Sequence, residues 1–576
     1  MQSKEFNTLK DLFNYSIDKY KGNNAFAYVD GKSYTYGQLG EETIRINELL
    51  LEAGIGAGAK VALLGQNMPN WPVAYFSAVA FNRIIVPVLP DFAEAEIRNV
   101  IEHSESTALF VSQRLAAKVP ADLMESLNVV IDLDTLRVIR SKSAQRAEIT
   151  SDPATGDLAA IIYTSGTTGN SKGVMLSHKN LCSQVYAVNI LRPTFDWDVW
   201  LSVLPLSHTM ESSLSMLLPM TAGASVFYME KAPTPSLLVQ ALAKVRPTTM
   251  LSVPLIIEKI YRNSILPKFN GSALMKTIYG TTPGRKLLNR VAGKKLMKTF
   301  GGRIRFFGIG GAKLDGTVER FLIEARFPYA IGYGLTETAP LLAGAVGKQV
   351  KWQSTGPAMH GVTLRIDNPN PENGEGEIVA KSPSVMMGYY KNPDATAQAF
   401  TADGYFRTKD LGIIDHTGRL FIKGRLSNMI LGPSGENIYP EEIESVINEH
   451  PMVAESVVTQ YKGKLVALVH FNPDKLKALE EAKEEAIAVY YEKKEQLLHS
   501  FEETKEQLLH SYEETKDAAV KIFNEKIEQL KKEVYDYVNT RVNKFSKISA
   551  VKDQPHQFEK TATQKIKRYL YMEKKK

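Results

Sequence analysis

The chain has 576 residues, of which 44% are hydrophobic and 23% charged, enough for a large core and more than one domain. The net charge of +7 is expected to be spread thinly apart from a basic C-terminal tail, which argues against nucleic acid as a partner. The single cysteine, Cys182, excludes an intrachain disulfide and a multi-thiolate metal site and fits a reducing compartment. No signal pattern and no apolar run of about 18 residues is present, so we expect a cytoplasmic protein, at most peripheral to the inner face of a membrane.

Most of the chain alternates short β-branched or aromatic runs with longer amphipathic stretches. This rhythm predicts one large α/β domain, with a helix over residues 71–81 among its first strands. After residue 356, short strands and tight turns instead predict antiparallel β structure. The predicted strands of the large domain cover residues 26–29, 60–64, 84–88, 129–131, 159–163, 225–228, 249–253 and 304–307.

The last quarter of the chain predicts long helices, because no glycine follows Gly463 and no proline lies between Pro473 and Pro555. An eleven-residue unit that starts at Glu495 is repeated from Glu506, a period that keeps its apolar positions in step with a helix. One unbroken helix here would be roughly 115 Å long at about 1.5 Å per residue, so we predict a folded-back helical pair. We expect a solvated arm packed on itself, with coiled-coil dimerisation or contact with a membrane surface as the alternatives.

A loop suited to phosphate lies between Tyr163 and Gly173. It follows a predicted strand and combines glycines with hydroxyl side chains and Lys172, so backbone N–H groups, hydroxyls and a positive charge can surround phosphate oxygens. A flexible linker of similar composition would not directly follow a buried strand and run into a helix pattern. The Walker A pattern fails because Ser171 stands where its second glycine belongs, and a glycine-rich segment ending at Lys313 fails the dinucleotide pattern.

The loop from Tyr163 to Gly173 resembles the signature loop of the adenylate-forming superfamily, which includes acyl-CoA synthetases, luciferases and peptide-synthetase adenylation domains. Other family motifs follow in order over nearly the whole chain. The segment from Leu204 to His208, with Glu211 after it, looks most like long-chain fatty acyl-CoA synthetases. The resemblance implies an ATP- and Mg²⁺-dependent acid–thiol ligase that forms acyl-AMP and pyrophosphate from a carboxylic acid, expected to be a long-chain fatty acid, and then passes the acyl group to CoA.

The same resemblance implies an α/β fold of two parts. The first is a large N-terminal domain of several subdomains, residues 1–424. The second is a small, mobile α+β domain, residues 425–576, which carries the helical insertion at about 475–548.

The motifs also imply the site residues. Tyr333 is expected to pack on adenine, while Asp410 accepts hydrogen bonds from the ribose hydroxyls. Glu337 and Thr164 are expected to hold Mg²⁺, which prefers oxygen ligands. The implied ATP-binding set is Thr164, Ser165, Gly166, Thr167, Thr168, Lys172, Gly310, Gly311, Ala312, Tyr333, Gly334, Asp410 and Arg425.

The implied catalytic residues are Lys565, Thr336, Glu337 and His208. Lys565 would bridge the carboxylate and the α-phosphate, and His208 would line the acyl pocket. The residue before the lysine is Gln564, where relatives commonly carry glycine, so a basic lysine of the tail is the alternative reading of this position. The implied CoA-binding and hinge residues of the small domain are Gly435, Glu436, Asn437 and Ser427, the last of which replaces a common Asp or Lys.

Two other functions stay open on the sequence. An adenylating enzyme with a carrier-protein thiol as acceptor would share these motifs, although no carrier domain is visible after Lys565. A non-catalytic scaffold homologue would be expected to have lost the phosphate loop, Glu337, Asp410 or the lysine, and all of them are present. Release of pyrophosphate and consumption of CoA, measured together with a panel of acids, distinguish these alternatives.

Overall fold

The computed structural model describes residues 4–164, 171–231, 234–431, 437–496, 502–561 and 566–572. The chain divides into two compact units, Met1–Ile422 and Lys423–Lys576. Strands and helices alternate through the larger unit, and the smaller one combines a sheet with long helices, which confirms the predicted α/β fold class. In the part of the chain that is described, no helix is long and apolar enough to cross a membrane.

The strands of the larger unit begin where the sequence places apolar or β-branched runs. Strand β4, for example, is buried along its whole length, which explains why it reads as a continuous apolar run and not as an alternating one. The strands are β1 (Asn24–Tyr28), β2 (Tyr34–Thr35), β3 (Lys60–Leu64), β4 (Ile84–Val88), β5 (Ser106–Val111), β6 (Val129–Asp132), β7 (Arg137–Ser141), β8 (Leu158–Thr164), β9 (Lys172–Ser177), β10 (Val199–Ser202), β11 (Ser225–Tyr228), β12 (Thr249–Ser252), β13 (Phe306–Ile309), β14 (Tyr329–Gly334), β15 (Leu341–Ala345), β16 (Gly356–Pro357), β17 (Thr363–Asp367), β18 (Gly376–Lys381), β19 (Gly388–Tyr389), β20 (Phe406–Ile414) and β21 (Arg419–Arg425).

Helices of the larger unit connect these strands and cover the sheets. Side-chain caps set several of their starts: the Ser177 hydroxyl accepts from the backbone N–H of Asn180 at 3.1 Å and begins α7 directly after β9. The helices are α1 (Leu9–Lys19), α2 (Tyr36–Glu52), α3 (Asn70–Val79), α4 (Glu94–Ser104), α5 (Gln113–Ala116), α6 (Ala121–Ser126), α7 (His178–Leu191), α8 (Thr209–Ser212), α9 (Leu218–Met220), α10 (Pro235–Val245), α11 (Pro254–Ile260), α12 (Leu266–Phe269), α13 (Ala273–Gly280), α14 (Thr282–Thr299), α15 (Gly316–Ala325) and α16 (Pro393–Gln398), with π-helical turns at Ser213–Leu217 and Tyr261–Ile265.

The strands of this unit form three sheets within the described residues. One has the order β15-β14-β13-β12-β10-β11-β1-β2 and is parallel except at its two ends. A second has the order β19-β9-β8-β4-β3-β5-β6-β7, with β9, β19 and β7 antiparallel to their neighbours. The third, β16-β21-β20-β18-β17, is antiparallel, as predicted for the chain after residue 356.

The smaller unit is built on a three-stranded sheet with a helical pair. Strands β24 (Val453–Tyr461) and β25 (Lys464–Phe471) form a hairpin, and β26 (Ala550–Asp553) pairs parallel with β25. A short pair, β22 (Ile430–Leu431) and β23 (Asn437–Ile438), precedes α17 (Pro440–Asn448), and the long helices are α18 (Pro473–Gln496) and α19 (Glu502–Asn539).

Helices α18 and α19 run antiparallel, which confirms the predicted folded-back pair. Lys483 Nζ lies 4.1 Å from the ring centroid of Phe523, and Lys516 Nζ lies 4.3 Å from that of Tyr490. As the residue number rises along α18, the number of its partner on α19 falls, which is the pattern of antiparallel helices. The end of α19 is held in the core of the unit by four apolar residues at helical spacing, namely Ile527, Leu530, Val534 and Val538.

Two sequence predictions need correction. The phosphate loop does not run straight into a helix, because β9 lies between the loop and α7 and forms a hairpin with β8. The strand predicted over 304–307 is instead Phe306–Ile309, because its pairing with β12 starts at Phe306. Arg305 lies outside the strand and forms an ion pair with Asp198 at 3.6 Å.

Candidate functional site

Three loops meet at the carboxyl ends of β10, β13 and β14, which are close neighbours in the first sheet. The Ser213 hydroxyl, in the π-helical turn after α8, donates to the backbone carbonyl of Ala339 at 3.2 Å. A Cβ atom added to Gly310 would lie 2.8 Å from the Met210 sulfur, so the turn after β13 packs against α8. The predicted acyl-pocket, adenine and metal motifs therefore share one edge of the sheet, the position where α/β sheets commonly bind ligands.

The turn that follows β14 is tight, and it requires a glycine. A Cβ atom on Gly334 would lie 1.8 Å from the carbonyl oxygen of Pro340, which no side chain can tolerate. The backbone N–H of Leu335 donates to that same carbonyl at 3.0 Å and also to the Thr338 hydroxyl at 3.0 Å. These bonds shape a short 3₁₀ turn whose half-buried residues include Thr336 and Glu337.

The two predicted nucleoside residues contact each other directly. The Tyr333 hydroxyl, on β14, donates to Asp410 Oδ2, on β20, at 2.9 Å, and both side chains are buried. Loss of a buried hydrogen bond of this kind costs about 1 kcal/mol or more, so the bond holds the two side chains in place. The bond joins the first and third sheets of the larger unit and brings together residues that are 77 positions apart.

Glu337 lies beside a tyrosine that the sequence analysis did not identify. The Tyr389 hydroxyl donates to Glu337 Oε1 at 2.9 Å, and Lys172 Nζ lies 5.0 Å from the centroid of the Tyr389 ring. Burial and the Glu337 charge raise the pKa of Tyr389, so this phenol stays a neutral donor. Pairing of β19 with β9, with Tyr389 opposite Val174, places it there. A signal was present in the adjacent aromatic pair at 389–390, but the partner strand was not predicted.

The phosphate loop is described only at its two ends. Thr164 ends β8 and pairs with Lys172, the first residue of β9, across the hairpin. The remaining predicted loop residues lie outside the described part of the chain: Ser165, Gly166, Thr167 and Thr168.

The predicted acyl-pocket segment places His208 just before α8, where it is half-buried. The turn with Gly310, Gly311 and Ala312 follows β13. Gly311 has a φ of 86°, in the left-handed region that favours glycine. These residues follow strands that end at the same sheet edge as Tyr333.

A buried carboxyl group lies in the same region. Glu211, in α8, is fully buried, and its Oε1 accepts from the Ser202 hydroxyl at 2.6 Å. Its Oε2 has no hydrogen-bond partner among the described residues. Burial raises the pKa of Glu211 to about 8, so the carboxyl group is largely protonated at neutral pH.

In the smaller unit, the described residues show how the predicted hinge segment is held. Arg425 is the last residue of β21, and the Ser427 hydroxyl donates to Asn428 Oδ1 at 3.1 Å. Asn428 Nδ2 in turn donates to Glu441 Oε1, in the first turn of α17, at 2.5 Å. Of the predicted CoA-binding residues, only the backbone of Asn437 is described, and Gly435 and Glu436 lie outside the described residues.

Lys565 and Gln564 also lie outside the described residues, whereas the segments on both sides of them are described. Lys560 and Ile566 form an antiparallel bridge. Arg568 Nη1 donates to Glu444 Oε1, in α17, at 2.7 Å, and the Glu444 carboxyl is buried. A buried arginine–carboxylate pair of this kind fixes the chain just after the predicted catalytic lysine.

The residues at the sheet edge suit a magnesium nucleotide. Glu337 supplies a carboxylate and the half-buried Thr336 a hydroxyl oxygen, and Thr164, at the end of β8 in the second sheet, is a further half-buried hydroxyl; oxygen is the ligand type that Mg²⁺ prefers. No cluster of three or more His, Cys, Asp or Glu side chains forms a metal site in the described residues.

Comparison with known proteins identifies the class of this α/β protein. The model of the AMP-binding enzyme family matches residues 13–390, about two thirds of the chain. The match includes the phosphate loop, the acyl-pocket segment and the turn with Glu337. The chain therefore belongs to the AMP-binding enzyme family.

Relatives and solved structures agree with this assignment. A long-chain-fatty-acid–CoA ligase of Mycobacterium bovis is 29% identical over 70% of this chain and 71% of its own length. Long chain acyl-CoA synthetase 1 of Arabidopsis thaliana is 29% identical over 78% of this chain and 76% of its own. ATP-bound MatB from Rhodopseudomonas palustris shares the fold with a TM-score of 0.72, at 22% identity and covering 98% of both chains. O-succinylbenzoate CoA synthetase from Bacillus subtilis, with ATP and magnesium ion, gives 0.73 at 21% identity, covering 97% of this chain and 98% of its own.

Proposed function

We propose that the protein is an AMP-forming acyl-CoA synthetase. In the first half-reaction a carboxylate oxygen of the acid attacks the α-phosphorus of ATP, and acyl-AMP forms as pyrophosphate leaves. In the second, the thiol of CoA attacks the acyl carbon, loses its proton, and AMP leaves. The observation that carries this proposal is the buried hydrogen bond between Tyr333 and Asp410, which brings together residues of two motifs that were separately predicted to bind the nucleoside.

The acid is proposed to be a long-chain fatty acid. This proposal is supported by the names of the two relatives above and by the segment with His208 and Glu211. His208 is assigned to the wall of the acyl pocket. The small residues Gly310, Gly311 and Ala312 would let a flat adenine ring approach the backbone of their turn.

In the first half-reaction, the larger unit binds and orients the nucleotide. Tyr333 presents its ring to adenine, and Asp410 accepts from the ribose hydroxyls. The phosphates are surrounded by Lys172 and by the loop residues Thr164, Ser165, Gly166, Thr167 and Thr168. Gly334 has no side chain and so allows the tight turn after β14. Thr336 is assigned to the α-phosphate. Glu337, with Thr164, is assigned to Mg²⁺, which when bound offsets phosphate charge.

The two proposed domains are residues 1–424 and residues 425–576. The second, small domain is proposed to take part in both half-reactions. Lys565 would offset charge on the α-phosphate and carboxylate during adenylation, an electrostatic role. The Arg568–Glu444 pair and the Lys560–Ile566 bridge support this role, because they anchor the chain on both sides of that lysine. Arg425 is assigned to the nucleotide, Ser427 to the hinge, and Gly435, Glu436 and Asn437 to CoA.

The helical pair α18 and α19 has no assigned task in this reaction. Contact of this pair with a second copy of the chain or with a membrane stays a prediction. A location of the protein in the cytoplasm, at the inner face of a membrane, also stays a prediction. Sedimentation equilibrium of the full chain tests dimerisation directly, and fractionation of cells tests the location.

The reaction is tested with a panel of acids from acetate to stearate in the presence of ATP, Mg²⁺ and CoA. We expect pyrophosphate release and consumption of CoA that are greatest with long chains, with acyl-CoA identified by its mass. No pyrophosphate with any acid would refute an enzyme and favour a scaffold. Pyrophosphate without consumption of CoA would instead favour a carrier-protein acceptor.

The role of Lys565 is tested by separating the two half-reactions. We expect Lys565→Ala to slow formation of acyl-AMP by at least about 100-fold, while thioester formation from supplied acyl-AMP stays within about twofold. Lys547→Ala, at an exposed lysine in the loop before β26, is the matched control and should change neither step. An equal loss of both steps would contradict the assignment.

A further inference from the structure

The net positive charge of the chain is concentrated in one segment, contrary to the thin spread expected from composition. Residues 259–314 contain 13 lysines and arginines and no aspartate or glutamate. Removing these 13 from the chain's 70 basic residues leaves 57 against 63 acidic ones, so the remainder of the chain is net negative. A charge asymmetry of this size predicts an acidic partner for the basic segment.

This segment includes helices α12, α13 and α14 of the larger unit and ends with the buried strand β13 and the turn after it. Helix α14 buries Asn289, Gly293 and Leu296 against the unit and turns its other side outward. Its outward side, here called the basic face, carries Lys286, Leu287, Arg290, Val291, Lys294 and Lys298, all of them exposed.

The apolar residues of the basic face point away from the core. Leu287 is 63% exposed and Val291 is 61% exposed, one helical turn apart, and Leu274 on α13 is 70% exposed. Large apolar side chains at these exposures, surrounded by cations, do not stabilise the isolated unit. Exposed cations beside exposed apolar side chains suit a surface that meets anionic lipid headgroups and the apolar boundary below them.

Basic residues of the segment that face inward have acidic partners, whereas several on the outside do not. Arg262 pairs with Asp315 at 3.5 Å and Arg285 with Glu324 at 3.0 Å. Arg290, Lys294 and Lys298 form no ion pair with any residue that the structure describes.

Two further lysines of the segment lie close together. The neighbouring Lys295, on α14, lowers the pKa of Lys268, on α12, because two ammonium groups repel each other. Phosphate groups placed against this surface would relieve that repulsion.

We propose that the basic face docks the larger unit onto a lipid bilayer with anionic headgroups, with Leu287 and Val291 entering the interfacial layer. Charge complementarity selects an anionic surface, and the two exposed apolar side chains select a lipid over a nucleic acid, whose phosphates offer them nothing to bury against. The face belongs to the unit that holds the candidate acyl pocket. Docking through this face would hold the larger unit, with its candidate acyl pocket, at the bilayer in which long acyl chains dissolve.

The proposal is tested by sedimentation of the full chain with vesicles, without ATP, CoA or acid, so the outcome does not depend on the proposed reaction. Vesicles of phosphatidylcholine alone are compared with vesicles that also contain phosphatidylglycerol. We expect binding only to the anionic vesicles, with a decrease as salt is raised. Binding to neither kind, or equal binding to both, would overturn the proposal.

Variants then locate the contact. We expect Lys286→Glu/Arg290→Glu/Lys294→Glu to lower the partition coefficient by at least about 100-fold, since each basic residue near an anionic surface contributes about fivefold. The control Lys32→Glu/Lys179→Glu/Lys348→Glu makes the same change in net charge at exposed lysines elsewhere in the unit and should retain most of the binding. An equal loss in both triple variants would refute the assigned face.

A third variant separates a membrane from a polyanion. Leu287→Ser/Val291→Ser keeps every charge, and we expect it to weaken vesicle binding several-fold, with unchanged circular dichroism and melting temperature showing that the fold is intact. Tighter binding of the wild type to duplex DNA than to anionic vesicles, unaffected by this double substitution, would assign the face to nucleic acid and overturn the proposal.

Discussion

The buried carboxyl group of Glu211 makes a sharp prediction about stability and pH. The ordinary pKa of a glutamate is 4.5, and burial raises that of Glu211 to about 8. Between these values the folded state holds a proton that the unfolded state has released. Raising the pH through this window therefore lowers the free energy of unfolding, by about 1.4 kcal/mol per pH unit, and the loss is complete once the pH passes the folded pKa.

Glu211→Gln removes this titration while keeping the shape of the protonated side chain. At pH 5.5, where the folded wild type is protonated, we expect the two proteins to differ by only about 1 kcal/mol. From pH 5.5 to pH 7.5 the free energy of unfolding of the variant should rise relative to the wild type by roughly 2–3 kcal/mol. The Ser202 hydroxyl can still donate to the amide oxygen of the variant.

Urea unfolding followed by tryptophan fluorescence measures this difference in one unit of the protein. The four tryptophans, Trp71, Trp197, Trp200 and Trp352, all lie in the larger unit, so the smaller unit does not contribute to the signal. The control Glu372→Gln, at an exposed turn residue, should unfold in parallel with the wild type at every pH. A constant difference between Glu211→Gln and wild type across this pH range would refute a protonated Glu211.

Three further substitutions test the geometry of the site. Tyr333→Phe should lower the free energy of unfolding by about 1–2 kcal/mol, measured in urea, because the buried Asp410 side chain loses the hydrogen bond from the Tyr333 hydroxyl. Gly334→Ala should lower acyl-CoA synthesis by at least about 100-fold, since a Cβ atom there overlaps a carbonyl oxygen, whereas Gly156→Ala, with open space around the Cβ, should be silent. Tyr389→Phe frees one oxygen of Glu337 from its donor, so we expect a several-fold change in the Mg²⁺ concentration at half-maximal rate, with little change in stability. Normal Mg²⁺ dependence in this variant would separate Tyr389 from the metal site.

Much of the fold was predictable from the sequence because its signals are local. Apolar runs and turn residues placed strands such as Lys60–Leu64 and Ile84–Val88 at their observed bounds. The lack of glycine and proline in the last quarter predicted the helical pair that α18 and α19 form. The order of short motifs identified the family before any contact between them was known.

The tertiary structure decided which of these motifs meet, because contacts between residues far apart in the chain leave no local pattern. Tyr333 and Asp410 come from different sheets, and Tyr389 reaches Glu337 only because β19 pairs with β9. The raised pKa of Glu211 likewise follows from burial, which its polar neighbours in the sequence did not indicate.

The basic face shows the same division. Its acid-free composition is a property of the sequence, yet only the packing of α14 through Gly293 and Leu296 decides which residues are turned outward. Leu287 and Val291 would be assigned to the core by hydrophobicity alone. They are exposed because the opposite side of the helix is the one that fits the unit, and a helix can bury only one side against a single surface.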